Sequence, residues 1–214
     1  MKIISTFCVI LISLKSASQT HNFNADSIQY YFLEYLDTMR AGLYPGIPKI
    51  IVNENASDAC LHHNQFLADI QQNDGSIILT HDEYKIKDGV KYKGNDTLIG
   101  YYMDRNNYYN TNKDFASSAE VAACVVLWTT DDDQGNVTNF IHQYMTNEWI
   151  SKRLLYSLKQ SPSHNRVISS YGYNRVAIDV SIINGIVYLT MVIGSEIKYV
   201  DGKEIHISNL KKKD

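Results

Sequence analysis

The end of the chain contains the pattern that most restricts its fold. Val176, Ile178 and Val180 alternate with their neighbours as in a strand, and residues 186–193 form an almost continuous apolar run. The Asn-Gly pair at 184–185 is a strong signal for a two-residue hairpin turn. A strand that is apolar on both faces needs cover on both sides of its sheet. The sequence therefore predicts an antiparallel hairpin in the middle layer of a larger structure.

Four segments have the apolar periodicity of amphipathic helices and can supply this cover. In the first, Ile28, Phe32 and Leu36 recur on one face, and Gly42 follows where a helix would end. The expected fold class is α+β, an α-β-α sandwich with a mostly antiparallel sheet between helices. We predict helices at about 26–41, 56–70, 117–128 and 137–158.

Two weaker turn signals predict small hairpins. Asp88-Gly89 separates two short alternating stretches, and Asp201-Gly202 does the same near the end of the chain. The tyrosine-rich stretch at 101–109 has no periodicity and is predicted to belong to a long loop. Such a loop either covers a site or is a surface excursion with no role in ligand binding.

The first 18 residues have the composition of a secretory signal peptide. Lys2 precedes an apolar stretch at 3–14, and small residues at 16–18 provide a cleavage site. No later apolar run reaches the roughly 18 residues that a membrane helix needs. We expect an exported protein, extracellular or periplasmic, with a single domain over 19–214 and no transmembrane segment in the mature chain.

The charge balance argues against a nucleic-acid partner. The chain has a formal net charge of −3, and removal of Lys2 and Lys15 with the predicted signal peptide makes it more acidic. The basic run at 211–213 lies beside Asp214 and is interpreted as a solvated tail.

Cys60 and Cys124 remain after the predicted processing. Export permits a disulfide between them. Both also suit the core as small, apolar side chains. Sequence alone leaves both interpretations open.

Three residues far apart in the sequence are candidates for a polar site: His81, Glu120 and His164. Two imidazole nitrogens and a carboxylate oxygen suit zinc or another divalent cation and leave one position open. The same three groups could instead orient waters and a ligand. Glu120 also fits a capping box with Ser117 at the start of the predicted third helix. His63, on the apolar stripe of the second helix, is interpreted as a residue at the edge of the core.

The order of these features resembles the CAP superfamily, which groups cysteine-rich secretory, antigen-5 and pathogenesis-related proteins, and especially its bacterial SCP-like branch. The resemblance covers about 28–194. It is carried by the first helix with Arg40 and Gly42, the second helix at 59–68, Thr80-His81, Ala119-Glu120-Val121 in place of Gly-Glu-Asn, Ser161-Pro162-Ser163-His164 in place of Ser-Pro-Gly-His, and the strand start at 171–178.

The chain departs from the family pattern around its fourth helix. Trp149 lies 12 positions before Ser161, whereas the family has a tryptophan only a few residues before the Ser-Pro element. The second acid of eukaryotic members corresponds to Lys152 here. Glu148, one helical turn earlier, either replaces that acid or is a surface residue.

The resemblance implies a secreted module that binds a small amphiphile, a glycan or a cell-envelope fragment in a cleft lined by His81, Glu120 and His164. It also allows a divalent metal there. An alternative is a hydrolase with His81 or His164 as general base, Glu120 as its orienting acid and Ser118 or Ser163 as nucleophile, or with a metal-bound water. The chain has neither a Gly-x-Ser-x-Gly nor a His-Glu-x-x-His motif, which favours binding over catalysis. A third alternative is a structural or interaction ectodomain with a vestigial cleft.

Overall fold

The computed structural model describes residues 23–54, 57–74, 77–81, 83, 85–87, 90–92, 115, 117–127, 129–130, 137–138, 145–195, 197–200 and 203–206. The predicted signal peptide, the tyrosine-rich stretch and the basic tail lie outside these residues. Among the described helices, none is both long and apolar enough to cross a membrane.

Four helices and ten strands make up the described secondary structure. The helices are α1 Ala25–Leu43, α2 Asp58–Asp74, α3 Asn147–Gln160 and α4 Pro162–Ile168. The strands are β1 Ile51–Val52, β2 Lys85–Lys87, β3 Val90–Tyr92, β4 Ser117–Val126, β5 Thr129–Thr130, β6 Val137–Thr138, β7 Arg175–Ile183, β8 Ile186–Ser195, β9 Ile197–Val200 and β10 Lys203–His206.

The main sheet has the strand order β1-β7-β8-β4. Its strands are antiparallel except for the short parallel pairing of β1 with β7. β7 and β8 are joined at Asn184 and Gly185, whose φ angles of 51° and 73° are those that a type I′ turn needs. The predicted hairpin is therefore confirmed. The two smaller predicted hairpins are also confirmed, as β2–β3 and β9–β10.

Helices cover both faces of this sheet. One face carries a large apolar cluster that alternate residues of β4, β7 and β8 share with α1, α3 and Ile168 of α4. The other face packs on α2, through clusters around Cys60 and Leu67. Every residue of β8 is buried, because it lies between two strands and between two helical layers. The predicted α+β sandwich is thus confirmed.

The third predicted helix is wrong: Ser117–Val126 is the strand β4. Its alanines and its Ser-x-x-Glu start are typical of a helix, but all ten residues pair with β8. Val121, Ala123 and Val125 join the large cluster on one face, so the period is two rather than 3.6. The capping box is wrong for the same reason, since no helix begins at Ser117.

The fourth predicted helix begins ten residues too early. Residues 137–138 are the strand β6, and α3 begins at Asn147. The Thr146 hydroxyl accepts a hydrogen bond from the Trp149 N–H at 3.0 Å and caps the helix. The helix therefore begins at this cap, and the apolar residues at 140–144 lie outside the described residues.

Cys60 and Cys124 are not joined by a disulfide. The Cys60 thiol donates to the Ala177 carbonyl at 3.4 Å, and Cys124 packs against the cluster around Leu67. Burial raises the pKa of the Cys124 thiol. Cys60 is thus a core residue of the layer between α2 and the sheet, and Cys124 is a partly buried residue at the border of the same layer.

Candidate functional site

Glu120 is a buried acid on the last strand in the order of the main sheet. It pairs with Val192 of β8, and its side chain is fully enclosed. Glu120 alternates with Val121, so its side chain lies on the α2 side of the sheet. A buried carboxylate needs hydrogen-bond donors close by, because transfer out of water penalises its charged form.

His81 supplies one of these donors. It lies in the segment that leaves α2, and its Nδ1 is 2.8 Å from Oε1 of Glu120. Because an ionised carboxylate only accepts, this contact assigns the hydrogen to Nδ1 and leaves the lone pair of the neutral ring on Nε2. The His81 side chain is 39% exposed, so one part of the ring reaches solvent while the other touches the buried acid.

His164 is the third residue of α4 and comes from the opposite layer. Pro162 occupies the first turn of this short helix, where its missing N–H costs nothing. The His164 ring is edge-on to the His81 ring, with the centroids 5.9 Å apart. Burial lowers the pKa of His164, and the positive charge of a protonated His81 lowers it further. The neutral imidazole is therefore favoured.

Arg40 fixes the end of α4. It is completely buried and donates to the carbonyls of Ile168 at 3.1 Å, Ser170 at 2.9 Å and Tyr173. These carbonyls lie at the end of α4 and in the connection to β7. Arg40 therefore links α1 to the helix that carries His164.

The structure thus brings together all three residues proposed from the sequence. His81 touches both Glu120 and His164, although the three are separated by 39 and 44 positions in the chain. β4 ends the described strand order, so side chains from the two helical layers meet beside it. The group contains one hydrogen-bonded carboxylate and two imidazoles of different exposure.

A second acid-imidazole group adjoins the first and was not predicted. His63 of α2 has no exposed surface, and its Nδ1 lies 3.0 Å from Oε1 of the buried Glu83. Its Nε2 lies 2.8 Å from the Thr80 carbonyl oxygen and 3.9 Å from Oε1 of Glu120. His62 approaches the other oxygen of Glu83 at 3.3 Å. The sequence predicts correctly that His63 is buried with the core, but it does not predict these polar partners.

The sequence contains one signal that could have found this group. His63 and Asn64 are adjacent polar residues on the buried side of α2. Buried polar side chains need partners, so such a pair indicates a polar network. Glu83 could not be identified in the same way, because it lies in a segment without periodicity.

The three proposed ligands do not form a metal site as they are arranged. Among the residues that the structure describes, no group of three or more histidine, cysteine, aspartate or glutamate side chains is placed to hold a metal ion. Oε1 of Glu120 accepts the hydrogen bond from His81. Zinc binding by His81, Glu120 and His164 stays a prediction.

Two other candidates have different partners. The Ser163 hydroxyl, one proposed nucleophile, lies 3.1 Å from the Ser161 hydroxyl. Glu148 is exposed, forms an ion pair of 2.8 Å with Lys152 and accepts a hydrogen bond from Tyr35. These contacts lower the pKa of the Glu148 carboxyl, mainly through the bond from Lys152. The interpretation of Glu148 as a surface residue is confirmed.

Comparison with known proteins gives similar folds at low identity. No protein-family model and no curated protein matches the sequence. An outer surface protein of Borrelia burgdorferi has a TM-score of 0.45 at 12% identity, over 80% of this chain and 93% of that one. An extracellular protein containing an SCP domain, from Bacillus anthracis, has a TM-score of 0.46 at 12% identity, over 80% of this chain and 41% of that one. Neither likeness assigns a ligand or an activity to this chain.

Proposed function

We propose that the chain is an exported, SCP-like domain of the CAP superfamily that binds a small ligand beside His81, Glu120 and His164. One observation carries the proposal. Three polar residues, chosen from the sequence by their order, meet within contact distance at one end of the sheet. The predicted signal peptide supports an extracellular or periplasmic location.

The chemistry of the group favours a ligand with both a polar and an apolar part. Glu120 holds the His81 ring by Nδ1, which directs the lone pair of the neutral ring away from the acid. A hydroxyl, amide or acid of the ligand can hydrogen-bond to these imidazoles. Leu79, two residues before His81, is 45% exposed and offers apolar surface nearby in the chain. The ligand classes that fit are an amphiphile, a glycan or a cell-envelope fragment.

The experiment measures the binding of two probes to the purified protein. Dansyl-undecanoic acid represents the amphiphiles and a chitin tetrasaccharide the glycans. We expect binding of at least one probe, weakened at least tenfold in His81→Ala and in His164→Ala, which corresponds to about 1.4 kcal/mol. The effect of Glu120→Gln on binding is compared with that of Glu148→Gln. The Glu148→Gln variant has the same chemical change on the surface and should leave binding unchanged.

The same proteins are titrated with Zn²⁺ to test the metal prediction. Zinc affinity that depends on both His81 and His164 would support a metal in the site. If the wild type binds neither probe nor zinc, the proposed function is wrong and the interpretation as a structural ectodomain gains support.

One observation favours hydrolysis as the second candidate function. The His81–Glu120 hydrogen bond resembles the orienting half of a general-base dyad, in which the acid fixes the tautomer of the imidazole. A hydrolase of this kind would release product from an ester or glycoside probe, and Glu120→Gln would abolish turnover. A pure binding module shows no turnover with either protein.

A further inference from the structure

Two hydrogen bonds from His63 hold the chain on both sides of His81. The ring is fully buried on α2 and stacks on Phe66, with the centroids 5.9 Å apart. Nε2 contacts the carbonyl of Thr80, the residue directly before His81, at 2.8 Å. Nδ1 contacts the carboxyl of Glu83, two residues after His81, at 3.0 Å. One rigid side chain of a helix is thus bonded to both flanks of a site residue.

These contacts determine how many protons the pair holds. The Thr80 carbonyl only accepts hydrogen bonds, so Nε2 of His63 carries a hydrogen. In a neutral ring Nδ1 would then have a lone pair, and it would face an oxygen lone pair of ionised Glu83. Two acceptors repel at 3.0 Å, so a proton lies between Nδ1 and Oε1. Either atom can hold this proton, and in both cases the pair is neutral as a whole.

The pair has charged and titratable neighbours on each element that packs against it. Nδ1 of His62, on the same helix, lies 3.3 Å from Oε2 of Glu83. On β4, Oε1 of Glu120 lies 3.9 Å from Nε2 of His63. That same oxygen accepts the hydrogen bond from His81, so Glu120 lies between His81 and the His63–Glu83 pair.

We propose that His63 and Glu83 are positioning residues that hold His81 in the site, through the hydrogen bonds of His63 to the chain on both sides of His81. The inference deepens the proposed function, on which it rests for the role of His81 in ligand binding. His81 is then already in contact with Glu120 and His164 before a ligand arrives. The ligand meets an ordered imidazole, and binding avoids the entropy cost of ordering the segment.

The test uses nuclear magnetic resonance of the histidine rings in the unliganded protein at neutral pH. In the wild type, we expect a hydrogen on Nε2 of His63 and a slowly exchanging proton assigned to its Nδ1 or to the Glu83 carboxyl. We also expect a nuclear Overhauser effect between the ring protons of His81 and His164. This measurement needs no variant. A neutral His63 with its hydrogen on Nδ1 alone would overturn the inference.

Two variants separate positioning from simple packing. Glu83→Gln removes the shared proton but lets an amide N–H donate to Nδ1, so the His81–His164 Overhauser effect should persist. The double variant His63→Phe with Glu83→Leu keeps an aromatic ring on Phe66 and removes both ionisable groups of the pair together. This double variant should fold and should lose the Overhauser effect between His81 and His164. It should also bind at least tenfold more weakly to whichever of the two probes the wild type binds. A folded double variant that keeps this effect would overturn the inference.

The two proposals can fail separately. If the Overhauser effect disappears in the double variant but the wild type binds no probe, positioning stands and the proposed function fails. If the wild type binds a probe through His81 and the folded double variant keeps the Overhauser effect, the proposed function stands and positioning fails. Should the double variant not fold, the proton assignment in the wild type decides.

Discussion

His63 and Asn64 are neighbours on α2, both fully buried, yet they belong to polar groups of different kinds. Asn64 donates to the Asp179 carboxyl at 2.7 Å and accepts from the Thr190 hydroxyl at 2.7 Å, so it bonds α2 to the two central strands. His63 instead bonds to the segment that carries His81 and lies near the last strand. Adjacent residues on one helix thus bond to the central strands in one case and to the segment of the proposed site in the other.

The two groups differ in the backbone that carries the hydrogen-bond partners of Asn64 and of His63. Asp179 and Thr190 pair with each other in the register of β7 and β8, so their backbone is already fixed by the sheet. Thr80 and Glu83 themselves belong to no helix or strand, so their positions depend more on side-chain contacts. Loss of Asn64 should therefore weaken the fold, whereas loss of the His63 contacts should mainly loosen the site.

The largest expected effect belongs to Asn64→Leu. This change removes the donor to the part-buried Asp179 carboxyl and the acceptor for the buried Thr190 hydroxyl, and it leaves both groups without that partner. The free energy of unfolding should fall by about 3 kcal/mol, measured by urea denaturation. The matched control is Gln65→Leu on the exposed side of the same helix, with a change within about 0.5 kcal/mol. Equal losses in both variants would contradict the account of the Asn64 group.

Glu83→Gln should have a smaller effect on stability. The contact with His63 survives as a neutral hydrogen bond, so the free energy of unfolding should fall by about 1 kcal/mol. Urea denaturation of this variant beside Asn64→Leu gives the comparison directly. A loss as large as that of Asn64→Leu would mean that the His63 group supports the fold as much as the Asn64 group does.

The main sheet and the candidate site differ in how much of each could be predicted from the sequence. The β7–β8 hairpin was predictable because an Asn-Gly turn and a buried apolar run leave few alternatives. β4 was mistaken for a helix because alanine and a Ser-x-x-Glu start are typical of helices, and only pairing with β8 makes Ser117–Val126 a strand. His81, Glu120 and His164 were chosen by their order, but Glu83 has no local signal, since its partner His63 lies 20 residues away in the chain.

The smallest expected effect concerns pH. Folding lowers the pKa of His164, first by burial and then by the charge of His81. The folded state then binds fewer protons than the unfolded state, whose histidine pKa is about 6.5. The contribution of His164 to the free energy of unfolding is therefore fully present above the unfolded pKa. It is lost as the pH falls through the lower pKa of His164 in the folded state. The effect is small because part of the ring is solvated.

Urea denaturation between pH 5 and pH 8, a range around that pKa of about 6.5, tests this point. The wild type should lose stability towards the acid end more steeply than His164→Gln, which has no titrating group at this position. Identical slopes for the two proteins would show that His164 is not held neutral by the fold.

The central claim is that His81 and His164 form a binding site, and ring resonances of these two histidines test it most directly. Dansyl-undecanoic acid and the chitin tetrasaccharide are titrated separately into the wild type, and the ring signals are followed. The account predicts that at least one probe shifts the signals of His81 and His164 together, with the same Kd. Binding that moves neither ring, or no binding of either probe, would contradict it.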